Sequence, residues 1–188
     1  NGKIMILLSF LQQFTKGGND MFGEDYEIAA QAAEKKVRLL KKRPGSYLML
    51  SIIAGMFIGI GVLLAFTIGA QTSGMPYCKI LMGGSFSAAL SLVVFAGAEL
   101  FTGNNMVAAI GVFNKKIKVG DMLLLWLVCY FGNLIGSMIM GGVYHVTGLG
   151  NGIAGETMAM LTVTKTSATA LQLFARGILC NMLVCLGV

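Results

Sequence analysis

Apolar runs long enough to cross a bilayer dominate this chain, and polar residues interrupt them at informative places. Residues 47–70 carry no charge and hold Gly55, Gly59, Gly61 and Gly69. A helix crosses the hydrocarbon in about 20 residues, so this stretch predicts a first span. Gly55 and Gly59 form a GxxxG pattern suited to close helix contact. Residues 77–113 are too long for one straight span and carry Glu99, Thr102, Asn104 and Asn105 near their middle, beside Gly97 and Gly103. Polar side chains and non-helical backbone at membrane depth are tolerated only against protein or a watery cavity. The pattern therefore predicts a helix broken at the midplane: one half over 77–95, a turn over 96–103, and a second half over 104–113. Broken helices of this kind place backbone dipoles and polar groups at a substrate site. Residues 121–146 predict a third span, with Asp121 as its N-cap or first-turn charge. The Gly/Thr-rich stretch 147–166 reads as an outer connection, and 167–188 as a fourth span.

Ahead of the first span, residues 24–43 predict a surface helix. Glu24, Asp25 and Glu27 stand at its start and basic residues at its end, which suits the helix dipole. Ile28, Ala32, Leu39 and Leu40 supply part of an apolar face. The run Lys35, Lys36, Arg38, Lys41, Lys42 and Arg43, with Lys115, Lys116 and Lys118 after the second span, marks one membrane side as cytoplasmic. A specific site for anionic lipid is a second reading of the same run. The chain begins with Asn, and Lys16-Gly17-Gly18 shortly before Met21 is what a translated ribosome-binding site looks like. Residues 1–20 are accordingly read as an upstream extension, 21–46 as a cytoplasmic amphipathic segment and 47–188 as a transmembrane domain.

Composition agrees with a membrane class. Hydrophobic residues make up 56% and charged residues 12%, against about 25% charged in soluble domains. The net charge of +6 is concentrated beside the spans and gives no reason to expect a nucleic-acid partner. The four cysteines lack metal-type spacing and read as small hydrophobes. No HExxH or G-x-S-x-G motif is present, so the sequence predicts no enzyme, cofactor or metal centre. Neither proline follows an Asn, which argues against the Asn-Pro-Ala breaks of an aquaporin-like neutral-solute channel. Glu99 has two readings, a proton donor in a pore or a structural anchor hydrogen-bonded at the break. Arg176, inside the fourth apolar run, also needs a partner, and Glu99 is one candidate. Thr102 or Asn104 can cap the second half-helix.

Four blocks carry a resemblance. They are Phe86, Ala-Glu-Leu-Phe-Thr over 98–102, Tyr-Phe-Gly-Asn-Leu over 130–134, and Gly-Ile-Leu-Cys-Asn-Met-Leu-Val-Cys over 177–185. Together they resemble the formate/nitrite transporter family, and the Glu-Leu-Phe-Thr-Gly-Asn-Asn form looks closest to its hydrosulfide-channel branch. The resemblance covers roughly the first two-thirds of a family member. It implies an all-α polytopic membrane protein of aquaporin-like formate/nitrite channel fold, here a fragment ending after about four transmembrane helices. It also implies a homopentamer in a bacterial plasma membrane, with a pore in each protomer. The family's loop threonine falls on Thr102, its vestibule lysine on Lys165 and its pore asparagine on Asn181. Its apolar constrictions involve Phe86, Leu90 and Phe101, while Glu99, Gly103 and Asn104 shape the loop. The one histidine, His145, does not match the family's pore histidine, whose helix lies beyond Val188.

The implied substrate is a small monovalent anion (formate, nitrite or hydrosulfide) or its conjugate acid. A neutral acid enters a dry slit at far lower cost than the anion, and Lys165 can gather anions through its field. An ordinary loop lysine is the plain alternative for Lys165, and ordinary packing for the aromatics. An inactive fragment is the alternative for the chain as a whole.

Overall fold

The structure is a computed structural model and describes residues 23–186. The expectation for residues 1–20, including a start at Met21, lies outside the described residues. Helix α1 covers residues 23–42 and is followed directly by α2 (Pro44–Gln71). Only Arg43 separates them. Its backbone is extended (φ −141°, ψ 68°) and Pro44 starts the next helix, as expected of a residue preceding proline. The buried face of α1 is Ala30, Ala33, Val37 and Leu40. The predicted face is corrected in part, since Ile28 is exposed and Ala32 and Leu39 are half-buried. The reason is the partner surface. Ala33 fits against Gly111, where an added Cβ would meet the Ala33 methyl at 2.5 Å. Small residues therefore set the rotation of α1 ahead of larger apolar ones.

Helix α2 holds the bundle together. Its buried residues are small: Ser51, Ala54, Gly55, Gly59, Gly61, Ala65 and Gly69 among them. On one side it packs against α5 (Val119–Val146). Gly55 lies on the Asn133 backbone, Gly132 on Ser51 and Gly136 on the Ile52 carbonyl, so the two helices run parallel at close range. On another side Gly61 meets Ala89 and Gly69 meets Met82 of α3 (Cys78–Phe95), which runs antiparallel to α2.

The predicted break is present, and it is shorter than expected. Helix α3 ends at Phe95, Gly97 takes a positive φ of 60°, and α4 (Phe101–Phe113) begins three residues before the predicted Asn104. Gly103 and Asn104 therefore belong to the first turn of α4 and not to the loop. The outer connection is also corrected: Ile153–Thr166 forms a helix, α6, and only residues 147–152 before it stay irregular. Glu156 in its first turn and Lys165 in its last suit the helix dipole. Helix α7 (Ala170–Leu186) follows at a bend of 109°. Among the described residues three helices (α2, α3, α5) are long and apolar enough to span a membrane, and a fourth span exists if α6 and α7 count as one.

Candidate functional site

The break between α3 and α4 is lined by hydrogen-bonded polar groups. Glu99 is 5% exposed. Its Oε2 accepts from Lys36 Nζ of α1 at 2.6 Å and from Asn104 Nδ2 at 2.9 Å. The Asn104 amide also lies 3.0 Å from the Tyr47 hydroxyl and 3.3 Å from Cys129 Sγ. The backbone is supplied from α2 and α5. Glu99 N donates to Leu50 O at 3.2 Å. Asn133 Nδ2 donates to the carbonyls of Glu99 (2.9 Å) and Ser51 (2.8 Å), while its Oδ1 accepts from Phe101 N at 2.9 Å. Cys129 Sγ donates to Glu99 O at 3.1 Å, and Trp126 Nε1 to Asn104 O at 3.2 Å. Irregular backbone at membrane depth needs such internal partners.

Several of these partners differ from the expected ones. Glu99 is held by side chains of Lys36 and Asn104, not by backbone amides, and its cation is Lys36, not Arg176. Arg176 is exposed on α7. Neither Thr102 nor Asn104 caps α4; the N-cap is Leu100 without a side-chain bond, and Asn133 supplies the cap from a neighbouring helix. Lys36 was indistinguishable from its basic neighbours in sequence. Only its place on the inner side of α1 separates it from Lys35. Asn133 did carry a signal, because an amide in the middle of an uncharged span calls for a partner.

Phe101, Thr102 and Asn181 come together. With Asn105, Phe174 and Met182 they line a cavity of about 570 Å³ between α4 and α7. Asn105 Nδ2 donates to Asn181 Oδ1 at 3.2 Å, and Cys185 Sγ to Thr102 O at 3.5 Å. The Phe101 ring meets Tyr130 edge-on, with centroids 5.5 Å apart. The other candidates lie elsewhere. Leu90 lines a separate cavity on α3 with Ser87, Ser91 and Phe95. Phe86 lies beside Gly61 of α2. Lys165 is exposed near the end of α6, its amine 5.4 Å from the Phe66 ring centre. No cluster of three His, Cys, Asp or Glu side chains suited to a metal occurs among the described residues.

A bundle of helices long and apolar enough to span a membrane, one broken near its middle, with Asn105 Oδ1 as the one buried side-chain polar atom lacking a hydrogen bond among the described residues and a mainly apolar cavity alongside, has the broken-helix architecture of a class of membrane channels and transporters. Within that class the chain belongs to the formate/nitrite transporter family, whose sequence model matches residues 23–188. It is 36% identical over 172 residues to the nitrite transporter NirC of Escherichia coli (strain K12), an alignment covering 89% of this chain and 63% of that relative. Among solved structures it is similar to an FNT family ion channel (TM-score 0.82, 34% identity, 87% of this chain, 66% of that one). A pentameric formate channel with formate bound is also similar (TM-score 0.68, 35% identity, 78% and 59%). The chain thus spans less than two thirds of the length of NirC.

Proposed function

We propose that the protein works as a membrane channel or transporter for small monovalent anions or their conjugate acids, in the range of formate, nitrite and hydrosulfide. The observation that carries this reading is the meeting of Phe101, Thr102 and Asn181 around one cavity beside the helix break. The Thr102 hydroxyl and the Asn181 amide offer hydrogen bonds to a passing oxygen or sulfur atom. Phe101 supplies a dry wall, and in this reading Phe86 and Leu90 extend the apolar constriction. Such a wall excludes hydrated ions and admits the neutral acid far more readily than the anion. Lys165 gathers anions at the outer mouth. Each protomer carries its own pore within a homopentamer, a reading supported by the similarity to a pentameric formate channel. The many apolar side chains left exposed on α3, α5 and α7 of a single chain also favour neighbours or lipid around it. Residues 21–46 lie on the cytoplasmic side of a bacterial plasma membrane and 47–188 form channel domain, because the basic residues gather where α2 and α5 both begin.

The test is flux into proteoliposomes holding protein expressed from its full reading frame. Formate, nitrite or hydrosulfide should enter faster than into protein-free vesicles, and Phe101→Ala should admit larger carboxylates. Folded pentamer that passes none of the three anions overturns the proposal.

A further inference from the structure

The end of the bundle where α2 and α5 start carries nine cations, Lys35, Lys36, Arg38, Lys41, Lys42, Arg43, Lys115, Lys116 and Lys118, and ion pairing sorts them into two groups. Four are neutralised: Lys36 by Glu99, Arg38 by Glu34, Lys41 by Asp121 and Lys116 by Glu27. The other five are exposed and have no carboxylate within 4.0 Å among the described residues.

Three of the five stand at the elbow between α1 and α2 and at the start of α5. Lys42 and Arg43 occupy the elbow between α1 and α2, immediately after Lys41. Lys41 Nζ lies 2.6 Å from Asp121 in the first turn of α5. That ion pair draws the elbow to the start of α5, where Lys118 is the N-cap residue. The α2–α5 seam, with Gly132 on Ser51 and Ser137 bonded to Gly55, sets Arg43 level with residues near 124, so Lys118 stands about 9 Å further out along the bundle, on the headgroup side of the elbow.

We propose that Lys42, Arg43 and Lys118 form a binding site for the phosphodiester headgroup of an anionic phospholipid. The chemistry fits that ligand. Arginine presents a planar fork to two phosphate oxygens, and lysines add compact charges beside it. The Asp121 carboxylate pairs directly with Lys41 and acts on Lys118 only from beyond 4.0 Å, so its single charge offsets the four cations at this end in part and leaves the site net positive. A lipid there can leave its acyl chains against the exposed apolar side chains Met49 on α2 and Leu123 and Leu124 on α5. A free phosphate gains no such contact. Lipid bound at this place braces α1 against the bundle from outside, as the Lys41–Asp121 pair does from within.

Native mass spectrometry of detergent-purified protein, expressed from its full reading frame, tests the site without reference to transport. Phosphatidylglycerol should be retained in preference to phosphatidylcholine. One basic residue near an anionic surface contributes roughly a fivefold gain in binding. The triple variant K42Q/R43Q/K118Q should therefore bind phosphatidylglycerol at least about tenfold more weakly. The charge-preserving variant K42R/R43K/K118R should retain most binding, and K79Q/K165Q, placed away from this elbow, should match the parent protein. The proposal is overturned if the triple variant keeps its phosphatidylglycerol. It is equally overturned if K79Q/K165Q loses as much, or if inorganic phosphate displaces the lipid at equal concentration.

Discussion

Asn133 divides its amide between the helix break and α2 beside it, accepting from Phe101 N and donating to the carbonyls of Glu99 and Ser51. At that depth none of the three backbone groups has bulk water as a substitute. Asn133→Ala should lower unfolding free energy in detergent by about 1–3 kcal/mol, the cost of stranded polar groups moderated by relaxation. Asn133→Asp keeps the acceptor but turns carboxylate oxygen toward two carbonyls, and it should do no better. Parent-like stability in both variants would mean that the break does not depend on this cap. The Lys36–Glu99 pair makes a second, separable case. Removing one partner of a buried ion pair costs about 3–5 kcal/mol, and the Lys36 side chain is 26% exposed. Lys36→Met should thus fall at or below the lower end of that range. Adding Glu99→Gln removes the stranded charge and keeps an acceptor for Asn104, so the double variant should recover most of the loss. Additive losses in that cycle would show that the two charges do not interact.

Helix pairing in this bundle depends on missing side chains. An added methyl at Gly136 overlaps the Ile52 carbonyl oxygen, and at Gly55 the Asn133 carbonyl, whereas Gly141 and Gly142 on the same α5 face open space. Gly136→Ala should therefore destabilise the α2–α5 pair by about 3 kcal/mol or more, at the severe end for overpacking. Gly142→Ala should be close to neutral; equal effects at the two sites would rule out the close seam. A lighter strap ties α1 to the turn after α4, where Glu27 accepts from Asn114 at 2.9 Å and pairs with Lys116 at 2.8 Å. The Lys116 amine holds the Glu27 carboxyl below its ordinary value of 4.5, with Gln31 and Asn114 assisting. A carboxyl with a lowered folded-state pKa contributes stability above its ordinary value and loses it as pH falls through the lowered one. Hydrogen exchange at 114–118 should thus rise as pH drops below about 4.5 relative to Glu27→Gln, after correction for intrinsic exchange rates; parallel profiles would show that the strap does not respond to pH. Sequence revealed elements better than faces. The second span's break was legible because Glu99, Asn104 and Gly97 have no business inside a continuous apolar helix. The face of α1 was not, because Ala33 gains its burial against Gly111, far away in the chain. Helix α6 was hidden by the glycines just before it, although Glu156 and Lys165 were already in the right places for a helix dipole. At the site, Thr102 and Asn181 could be matched from motifs, but the Lys36–Glu99 and Asn133–Phe101 pairings exist only once four helices are packed.

Across the whole molecule, the candidate cavity and the candidate anion collector stand on different elements. Phe101, Thr102 and Asn181 share the space between α4 and α7, while Lys165 projects from the end of α6 over Phe66 of α2. Under the proposed function, a lysine in that position would serve permeation through its field and not through contact, and the two modes scale differently with salt. A field is screened over about 10 Å at 0.1 M ionic strength, whereas loss of a direct contact persists at any salt. Lys165→Met separates the charge from the packing, because its side chain can still cover Phe66. In proteoliposomes carrying the protein expressed from its full reading frame, this variant should need roughly two- to fivefold more anion for half-maximal uptake at low salt, with maximal flux unchanged, since one charge supplies a small part of the enrichment a charged mouth achieves. That gap should close as ionic strength rises. A deficit that stays constant with salt, or that falls on maximal flux, would mean that Lys165 touches the permeant or positions α6, and the collector role would have to be given up.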